Sequence, residues 1–253
     1  MSIYKKTRRR IADFFRARPK LYDWARQIRL RALGPVSRIG QQLDRLSATH
    51  TRDFRFLQIG ASDGLRNDPL RDFIVRDRWS GVFVEPLPDA FALLKSNYKH
   101  LAQKQNLAFL NAAVSSDSAS LPFHTFQESY LAGKPLEERL HLLRKASFDR
   151  SQVLPFANGD ENILTINVPC LEINELTAQY FPDKNLTLLA LDVEGHEWEI
   201  LSKLDFTAFR IQAVLFETWN LGNRKGDLLR LLEGNGYKIE EAEGDALAIK
   251  VDS

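Results

Sequence analysis

The sequence has a single cysteine and no long hydrophobic segment among its 253 residues. Cys170 alone cannot build an internal disulfide framework, and its isolation fits a reducing compartment. A membrane-spanning helix needs about 18 or more consecutive apolar residues, and no such run is present. The Arg-rich start is followed by more charged residues instead of the apolar core of a signal peptide. These absences predict a cytoplasmic protein.

Acidic residues are scarce at the start of the chain. Residues 1–50 contain 13 Lys/Arg and three Asp/Glu, although the net charge of the whole chain is only +2. The remainder is therefore acidic overall. A basic N-terminal segment followed by an acidic remainder indicates that the two parts have separate roles. We predict a basic N-terminal extension at 1–50 and a main domain at 51–253.

The extension is predicted to be helical, because its apolar residues recur at three- and four-residue spacing. The three stripes comprise Ile11, Phe14 and Phe15, then Leu21, Trp24, Ala25, Ile28 and Ala32, then Val36, Ile39, Leu43 and Leu46. Such basic amphipathic helices either pack on the main domain, form a contact between copies of the chain, or lie on an anionic membrane surface. The sequence leaves these alternatives open. No recognition motif supports nucleic-acid binding.

Apolar runs of strand length alternate with helix-period stretches from residue 54 onward. Strands that are apolar on both faces, alternating with helices, predict a parallel sheet covered on both sides and thus an α/β fold. The alternation in residues 237–251 predicts a terminal hairpin. Residues 116–168 interrupt the rhythm, and we predict that this insertion covers the acceptor site. The predicted strands are 55–59, 81–84, 107–110, 186–191 and 211–216, and the predicted helices are 69–78, 87–103, 195–204 and 225–235.

The first strand ends in a short loop of small and acidic residues, Gly60-Ala61-Ser62-Asp63-Gly64. Small residues permit a tight turn and close approach of a ligand to the backbone. The loop lies at the carboxyl edge of the predicted sheet, where such folds bind ligands. It lacks the second and third glycines of the dinucleotide pattern G-x-G-x-x-G, which weakens the case for a nicotinamide cofactor.

Acidic residues end two further predicted strands. Glu85 ends the second strand just before Pro86, and an acid at that place accepts hydrogen bonds from ribose hydroxyls. Asp192 and Glu194 follow the fourth strand in the segment LDVEGHEWEIL. Glu197 and Glu199 are expected to face solvent at the start of the next helix.

These stretches together resemble the FkbM family of S-adenosylmethionine-dependent methyltransferases. The resemblance extends from about residue 54 to 250 and rests on the order and spacing of QIGASDGLRNDPL, VFVEPLPDAFALLKSNY, NAAVSS, LDVEGHEWEIL, VLFE and GDALAI. It implies a Rossmann-like class I methyltransferase fold, with a seven-stranded sheet whose last strand is reversed. The cofactor-binding residues that it and the loop together suggest are Gln58, Gly60, Ala61, Ser62, Asp63, Gly64, Glu85, Pro86, Asn111, Ala112 and Asp192.

The resemblance also implies which part of the cofactor each of these residues contacts. The loop and Gln58 would line the methionine and ribose part of the cofactor, Glu85 would take the ribose hydroxyls, and Asn111 and Ala112 would lie near the adenine. Many relatives have an acid in place of Gln58, an asparagine in place of Ser62, and a lysine in place of Ala190. The last difference argues against lysine-based chemistry in this chain.

A hydroxyl acceptor requires a base to remove its proton. The candidates are Asp192, Glu194, His196 and Glu217. Asp192 and Glu194 are also candidate ligands for a divalent metal, but the sequence shows no clear third ligand, so no metal site is assigned. Trp219, Tyr130 and Phe123 are candidates for stacking on a sugar acceptor.

The sequence thus favours an O-methyltransferase acting on a hydroxyl of a sugar in a glycan or glycolipid, or of a secondary metabolite. Two alternatives remain open at this stage, an NAD-dependent oxidoreductase and a non-catalytic binding protein that retains the fold. The extension is the predicted contact with an anionic membrane, and a homo-oligomer is a further alternative.

Overall fold

The computed structural model describes residues 18–50, 53–116 and 119–251. The helix predicted around Ile11, Phe14 and Phe15 lies outside the described residues. Within the described ranges, no helix is both long enough and apolar enough to cross a bilayer.

Strands and helices alternate along the main domain, as their sequence patterns predict. The strands are β1 (Arg55–Ile59), β2 (Ser80–Val84), β3 (Leu107–Leu110), β4 (Ala113–Ser115), β5 (Ser120–Phe126), β6 (Ile163–Glu172), β7 (Asn185–Leu191), β8 (Arg210–Glu217), β9 (Tyr237–Ala242) and β10 (Asp245–Lys250). The α-helices are α1 (Pro19–Leu33), α2 (Arg38–Thr49), α3 (Arg71–Asp77), α4 (Pro88–Ala102), α5 (Glu128–Leu131), α6 (Leu136–Leu143), α7 (Arg150–Ala157), α8 (Ile173–Tyr180), α9 (Glu197–Leu201) and α10 (Lys225–Gly234). Two short 3₁₀ helices cover Asp160–Asn162 and Gly222–Arg224.

The central sheet has seven strands in the order β3-β2-β1-β7-β8-β10-β9. Every neighbouring pair from β3 to β8 is parallel, whereas β10 is antiparallel to both of its neighbours. The predicted seven-stranded sheet with a reversed last strand and a terminal hairpin is therefore confirmed. The chain moves outward from β1 to β3 and returns to β7, so the order reverses between β1 and β7, and ligands bind at such a switch point.

Two hydrophobic layers cover the two faces of the sheet, which confirms the predicted burial on both sides. Helices α2, α3 and α4 contribute to the layer on one face, and α8, α9 and α10 contribute to the layer on the other. Burial on both faces is the physical reason that β1 and β7 read as continuous apolar runs.

The predicted insertion contains three helices and strand β5, and together with β4 and the whole of β6, which extend beyond its bounds, it forms a second, three-stranded sheet. The order in this sheet is β4-β6-β5, with β5 antiparallel to β6 and β4 parallel to it. Helices α5, α6 and α7 lie between β5 and β6 along the chain. The insertion therefore has its own small core, which includes Phe126, Leu131 and Val153.

Two predicted helices are shorter in the structure than in the sequence pattern. Helix α9 begins at Glu197 rather than at 195, because Gly195 has a φ of 97° and Glu194 one of 51°, which no right-handed helix accepts. Helix α3 ends at Asp77, because Arg78 adopts the left-handed conformation with a φ of 58°.

Helix α1 is rotated so that its predicted apolar stripe faces outward. Trp24 is 62% exposed and Ile28 is 49% exposed, whereas Asp23 and Leu30 are buried. The rotation places Asp23 at 2.7 Å from Arg71, and Arg26 at 2.5 Å from Asp72. Ion pairs with helix α3 thus fix the orientation of α1.

Candidate active site

Gly60 allows the ends of β1 and β7 to approach each other. Its φ is 78°, and a Cβ at this position would lie 1.9 Å from the backbone oxygen of Asp192. No larger residue fits there, because a main-chain atom cannot move aside as a flexible side chain can. The sequence motif led us to expect ligand approach at this glycine, but its nearest neighbour is the backbone that carries Asp192.

Glu85 is buried at the carboxyl end of β2 and is fixed by two backbone N–H groups. Ser62 donates to its Oε2 at 2.8 Å, and Leu87 donates to its Oε1 at 2.9 Å. Burial raises the pKa of Glu85 to about 7. Each carboxylate oxygen keeps a second lone pair, so Glu85 can still accept two hydroxyl groups.

Asn111 shapes the loop that follows Glu85. Its Nδ2 donates to the backbone oxygens of Glu85 at 2.9 Å and Pro86 at 3.1 Å. The side chain of Asn111 is exposed, whereas Ala112 and Pro86 line a cavity beside Glu85.

We call this space the adenosine cavity. It is narrow, and it lies between the sheet edge and the insertion. Its walls are mostly apolar, with Glu85 and the two carboxylates that follow β7, Asp192 and Glu194, as the acidic groups. The lining residues are Ile59, Gly60, Ser62, Glu85, Pro86, Leu87, Ala90, Ala112, Ala113, Val114, Phe123, Leu143, Arg144, Ala146, Phe148, Asp192, Val193 and Glu194.

A row of carboxylates crosses the carboxyl edge of the sheet next to this cavity. Asp245 of β10 pairs in register with Glu217 of β8. Leu191 of β7 pairs with Phe216 of β8, so the next residues on these two strands, Asp192 and Glu217, are neighbours at the sheet edge. One oxygen each of Asp192, Glu194 and Glu217 lie within 4.8 Å of one another among the described residues. The register of three strands therefore assembles a cluster that no single sequence motif contains.

Burial is the first cause that raises the pKa of Asp192, Glu194 and Asp245. Asp192 is exposed to solvent at the mouth of the cleft, although protein atoms surround its carboxyl group. Burial, followed by the charges of Glu217 and Glu194, raises the pKa of Asp192 to about 8. Burial and Glu217 raise the pKa of Asp245 to about 6.

Lys145 and Asn220 bind the other members of the cluster, and the sequence analysis missed both. Lys145 lies 2.6 Å from Glu194 Oε1, and Asn220 donates to Glu194 Oε2 at 2.7 Å and to Glu217 Oε2 at 2.9 Å. Lys145 belongs to the insertion, far along the chain from Glu194, so no local pattern marks it. Asn220 lies three residues after Glu217 in a loop, where an asparagine carries no special signal.

A second space, the polar cavity, lies on the other side of Asp192 and Glu194. It shares Ile59, Gly60, Ser62, Arg144, Asp192 and Glu194 with the adenosine cavity. Its remaining walls carry Gln58, Ala61, Arg66, Asn67, Asp68, Pro69, His141, Lys145, Ala190, Leu191, Leu215, Phe216, Glu217, Trp219, Glu243 and Asp245. Asp192 and Glu194 are thus accessible from both spaces.

Gln58 is buried in the wall of the polar cavity. Its Nε2 donates to Asp68 Oδ1 at 3.3 Å, whereas its Oε1 has no hydrogen-bond partner in the described part of the chain. A buried amide oxygen without a partner costs free energy. A donor supplied by a ligand in this cavity would satisfy it.

The rest of the glycine loop has internal partners. Asp63 Oδ1 accepts from the backbone of Leu65 at 3.1 Å and of Arg66 at 3.0 Å, so its carboxylate shapes the turn. Gly64 has a φ of 60°, and its backbone oxygen accepts from Arg71 at 2.8 Å. Neither Asp63 nor Gly64 lines either cavity.

His196 lies behind the carboxylate cluster and not among the residues that line the two cavities. Its ring packs on Phe148 with centroids 4.6 Å apart, and burial lowers its pKa. Glu197, which was expected to face solvent, is fully buried, because its Oε1 accepts from the backbone of Val193 at 3.2 Å. Burial raises the pKa of Glu197 to about 8.

The insertion covers both cavities. The three aromatic residues that were candidates for stacking on a sugar lie in three different places. Phe123 lines the adenosine cavity, and Trp219 lines the polar cavity with 75% of its surface exposed. Tyr130 donates its hydroxyl to the backbone of Phe156 within the insertion and lines neither cavity.

Residues 58–239 match the model of the methyltransferase FkbM domain. This match covers most of the chain and includes every residue that lines the adenosine cavity and all those that line the polar cavity except Glu243 and Asp245. The chain belongs to the FkbM methyltransferase family. It is therefore a methyltransferase, and S-adenosylmethionine is its cofactor. Neither an NAD-dependent oxidoreductase nor a non-catalytic binding protein is supported.

Solved structures of other methyltransferases are similar to this chain at low sequence identity. The methyltransferase FkbM from Methylobacillus flagellatus KT is 12% identical with a TM-score of 0.46, and the alignment covers 78% of this chain but only 43% of that one. Aeropyrum pernix fibrillarin with bound S-adenosyl-L-methionine is 11% identical with a TM-score of 0.41, covering 79% of this chain and 68% of that one.

An RNA methyltransferase from Salinibacter ruber in complex with S-adenosyl-L-homocysteine is 13% identical with a TM-score of 0.38, covering 87% of this chain and 95% of that one. A search of curated proteins gives no match. Membership of the family therefore rests on the match over residues 58–239.

The residues around the two cavities fit an adenosyl sulfonium cofactor. Glu85 offers acceptors for the ribose hydroxyls, and the apolar walls around Ala112 and Leu87 suit an adenine ring. The unpartnered Oε1 of Gln58 suits the ammonium group of the methionine part. The acidic groups near Asp192 favour a cation between the cavities.

Proposed function

We propose that this methyltransferase acts on a hydroxyl group, of a sugar in a glycan or glycolipid or of a secondary metabolite. Asp192 carries the proposal. It lies on the wall shared by the two cavities, and no described group donates a hydrogen bond to its carboxylate. A base with a raised pKa in that place suits a hydroxyl acceptor, which must lose a proton during methyl transfer.

In the proposed complex, Glu85 and the apolar wall hold the adenosine part of the cofactor, and Gln58 faces its methionine part. When bound, S-adenosylmethionine supplies a methyl group activated by the positive charge of its sulfonium. Asp192 then loses its own proton more easily, because a nearby positive charge lowers the pKa of a carboxyl group. The ionised Asp192 is ready to accept the proton of the acceptor hydroxyl.

The neighbours of Asp192 position the acceptor. Lys145 and Asn220 hold the Glu194 carboxyl group through hydrogen bonds of 2.6 Å and 2.7 Å, so this group is fixed in position. Holding two reacting groups in line contributes several kcal/mol to catalysis. Glu217 and Asp245 add acceptors for further hydroxyl groups.

Trp219 and these carboxylates support a polyhydroxylated acceptor. The exposed indole offers an apolar face for stacking, and carboxylate oxygens accept hydrogen bonds from hydroxyl groups. Both kinds of group line the polar cavity. A sugar presents an apolar face and a ring of hydroxyls, so its surface complements this arrangement.

The experiment begins with a screen of sugars, glycolipids and small hydroxylated metabolites against S-adenosylmethionine carrying a labelled methyl group. On the acceptor found, Asp192→Asn is expected to lower kcat by roughly 10²- to 10⁴-fold. Glu199→Gln is the matched control, because Glu199 lies in α9 outside both cavities. Label on nitrogen instead of oxygen, or unchanged kcat in Asp192→Asn, would refute the proposal.

Calorimetry separates loss of chemistry from loss of the cofactor. Asp192→Asn and the parent chain are expected to bind S-adenosylhomocysteine with similar affinity, since Glu85 and Gln58 remain. Titration with NAD should give no heat of binding. Binding of NAD alone would contradict both the proposal and the cofactor.

A divalent cation held by Asp192, Glu194 and Glu217 is a second way to lower the pKa of an acceptor hydroxyl. The oxygens within 4.8 Å favour this alternative, whereas the bonds from Lys145 and Asn220 disfavour it. Turnover that survives EDTA would leave Asp192 as the base. Turnover lost in EDTA and restored by Mg²⁺ would assign the cluster to the cation.

A further inference from the structure

Helix α1 presents an unpartnered apolar face to solvent. Trp24 is 62% exposed and Ile28 is 49% exposed, and they lie four residues apart on one side of the helix. Leu33, the last residue of the helix, is 74% exposed, and Val36, in the turn after the helix, is 73% exposed. Large exposed apolar side chains that lie close together mark an interaction surface.

The charges on α1 divide between its two faces. Asp23, the only acid in the helix, is turned inward to Arg71 at 2.7 Å. Arg29 lies beside the apolar face, and Arg31, seven residues after Trp24, lies at its C-terminal end; both are exposed. No acidic side chain within the described ranges forms an ion pair with either of them.

Helix α2 also has an excess of positive charge on its exposed surface. Its one acid, Asp44, pairs with Arg76 of the main domain at 2.6 Å. Arg38 and Arg45 of α2 are exposed. Both acids in the described part of the extension therefore neutralise arginines of the main domain and leave the outer surface positive.

A shallow basic cavity lies at the start of α1. Lys20 and Lys99 line it together with Arg18 and His100. Lys20 is four residues before Trp24, so the cavity and the apolar face lie on one side of the helix. The first turn of a helix also carries a partial positive charge, which favours an anion.

We propose that this face of α1, with Trp24 and Ile28 at its centre and Arg29 and Arg31 at its borders, binds an anionic lipid bilayer. A tryptophan and an aliphatic residue enter the interface between headgroups and acyl chains, and arginines contact the phosphates. The basic cavity at Lys20 and Lys99 takes a lipid phosphate.

The sequence before the helix adds to the attraction. Residues 1–17 contain six Lys/Arg and one acid. A cluster of this kind beside an amphipathic helix strengthens binding to anionic membranes. The proposal does not depend on the acceptor or on the identity of the base.

Flotation of the full chain with vesicles tests the proposal. Vesicles of phosphatidylcholine alone are compared with vesicles containing phosphatidylglycerol, at low and high salt. We expect binding only to the anionic vesicles and a steep fall with salt, because exposed charges are screened. Trp24→Ser combined with Ile28→Ser is expected to lower the bound fraction at least about tenfold.

Arg29→Gln combined with Arg31→Gln is expected to weaken partitioning by about thirtyfold, at about 1 kcal/mol for each arginine, while the residual binding depends less steeply on salt. The matched control is Leu136→Ser combined with Leu154→Ser, two exposed leucines of the insertion that are 56% and 45% exposed. This control should bind like the parent chain. Circular dichroism and thermal unfolding check that all variants fold equally.

Three results would overturn the proposal. The first is equal flotation of the parent chain and both α1 variants. The second is equal binding to neutral and anionic vesicles. The third is a concentration-dependent dimer in sedimentation that Trp24→Ser with Ile28→Ser dissolves, since this would assign the face to a second copy of the chain.

Discussion

Glu85 and Asp192 are both carboxylates at strand ends, but their surroundings suit them to different tasks. Backbone N–H groups at 2.8 Å and 2.9 Å hold both oxygens of Glu85. No group in residues 18–50, 53–116 or 119–251 donates a hydrogen bond to the Asp192 carboxylate, which lines both cavities. A fixed carboxylate suits recognition, whereas an unpartnered one with a raised pKa suits proton transfer.

At the residue scale we predict that Glu85→Gln weakens binding of S-adenosylhomocysteine by roughly tenfold to a hundredfold. The amide replaces one acceptor by a donor, which opposes either the Ser62 or the Leu87 N–H group. Isothermal calorimetry measures the effect. Glu233→Gln, an exposed change in α10, should leave the affinity unchanged, and an unchanged affinity in Glu85→Gln would remove the ribose role.

At the scale of elements, buried side chains connect the extension to the glycine loop. Asp23 of α1 pairs with Arg71, and Arg71 donates to the backbone oxygen of Gly64 at 2.8 Å. Asn97 of α4 donates to the backbone oxygen of Asp63 at 2.8 Å. The loop is thus held from behind by α3 and α4, and α1 completes the arrangement.

We predict that Asp23→Ala destabilises the chain by about 3–5 kcal/mol, because Arg71 is fully buried and loses its counter-charge. The control is Asp183→Ala, which breaks the pair between Arg55 and a carboxylate that is 50% exposed. That change is expected to cost far less, because exposed ion pairs contribute little to stability. Urea unfolding compares the two, and equal losses would show that burial of the Asp23 pair has no energetic consequence.

Over the whole molecule, buried carboxyl groups gather at one edge of the sheet. The pKa is raised to about 7 for Glu85 and to about 8 for Asp192 and Glu197, with burial as the first cause in each case. The folded chain therefore retains protons that the unfolded chain releases near pH 4. By linkage, stability is greatest below this window and falls as the pH rises from about 4 to about 8.

We predict that Glu197→Gln flattens this fall and raises the free energy of unfolding at pH 8, since an amide carries no charge to bury. Unfolding in urea at pH 5.5 to 8.5 measures the slope. Glu199→Gln is the control, because the side chain of Glu199 is 43% exposed. A slope that is the same in Glu197→Gln and the parent chain would contradict the assignment.

The sequence by itself determined the alternation of strands and helices, the loop at Gly60 and the acids at the ends of β2 and β7. These features are local. A strand that is buried on both faces requires a continuous apolar run, and a tight turn requires small residues. Only the tertiary structure decided that Glu217 and Asp245 join Asp192 in one row, since register between strands is not encoded in any single segment.

Only the tertiary structure also supplied Lys145 and Asn220, which come from distant parts of the chain. It likewise decided the rotation of α1. Spacing alone identifies an apolar stripe but does not say whether that stripe or the opposite face meets the domain. Two ion pairs, Asp23 with Arg71 and Arg26 with Asp72, decided it, because a buried arginine must keep its carboxylate.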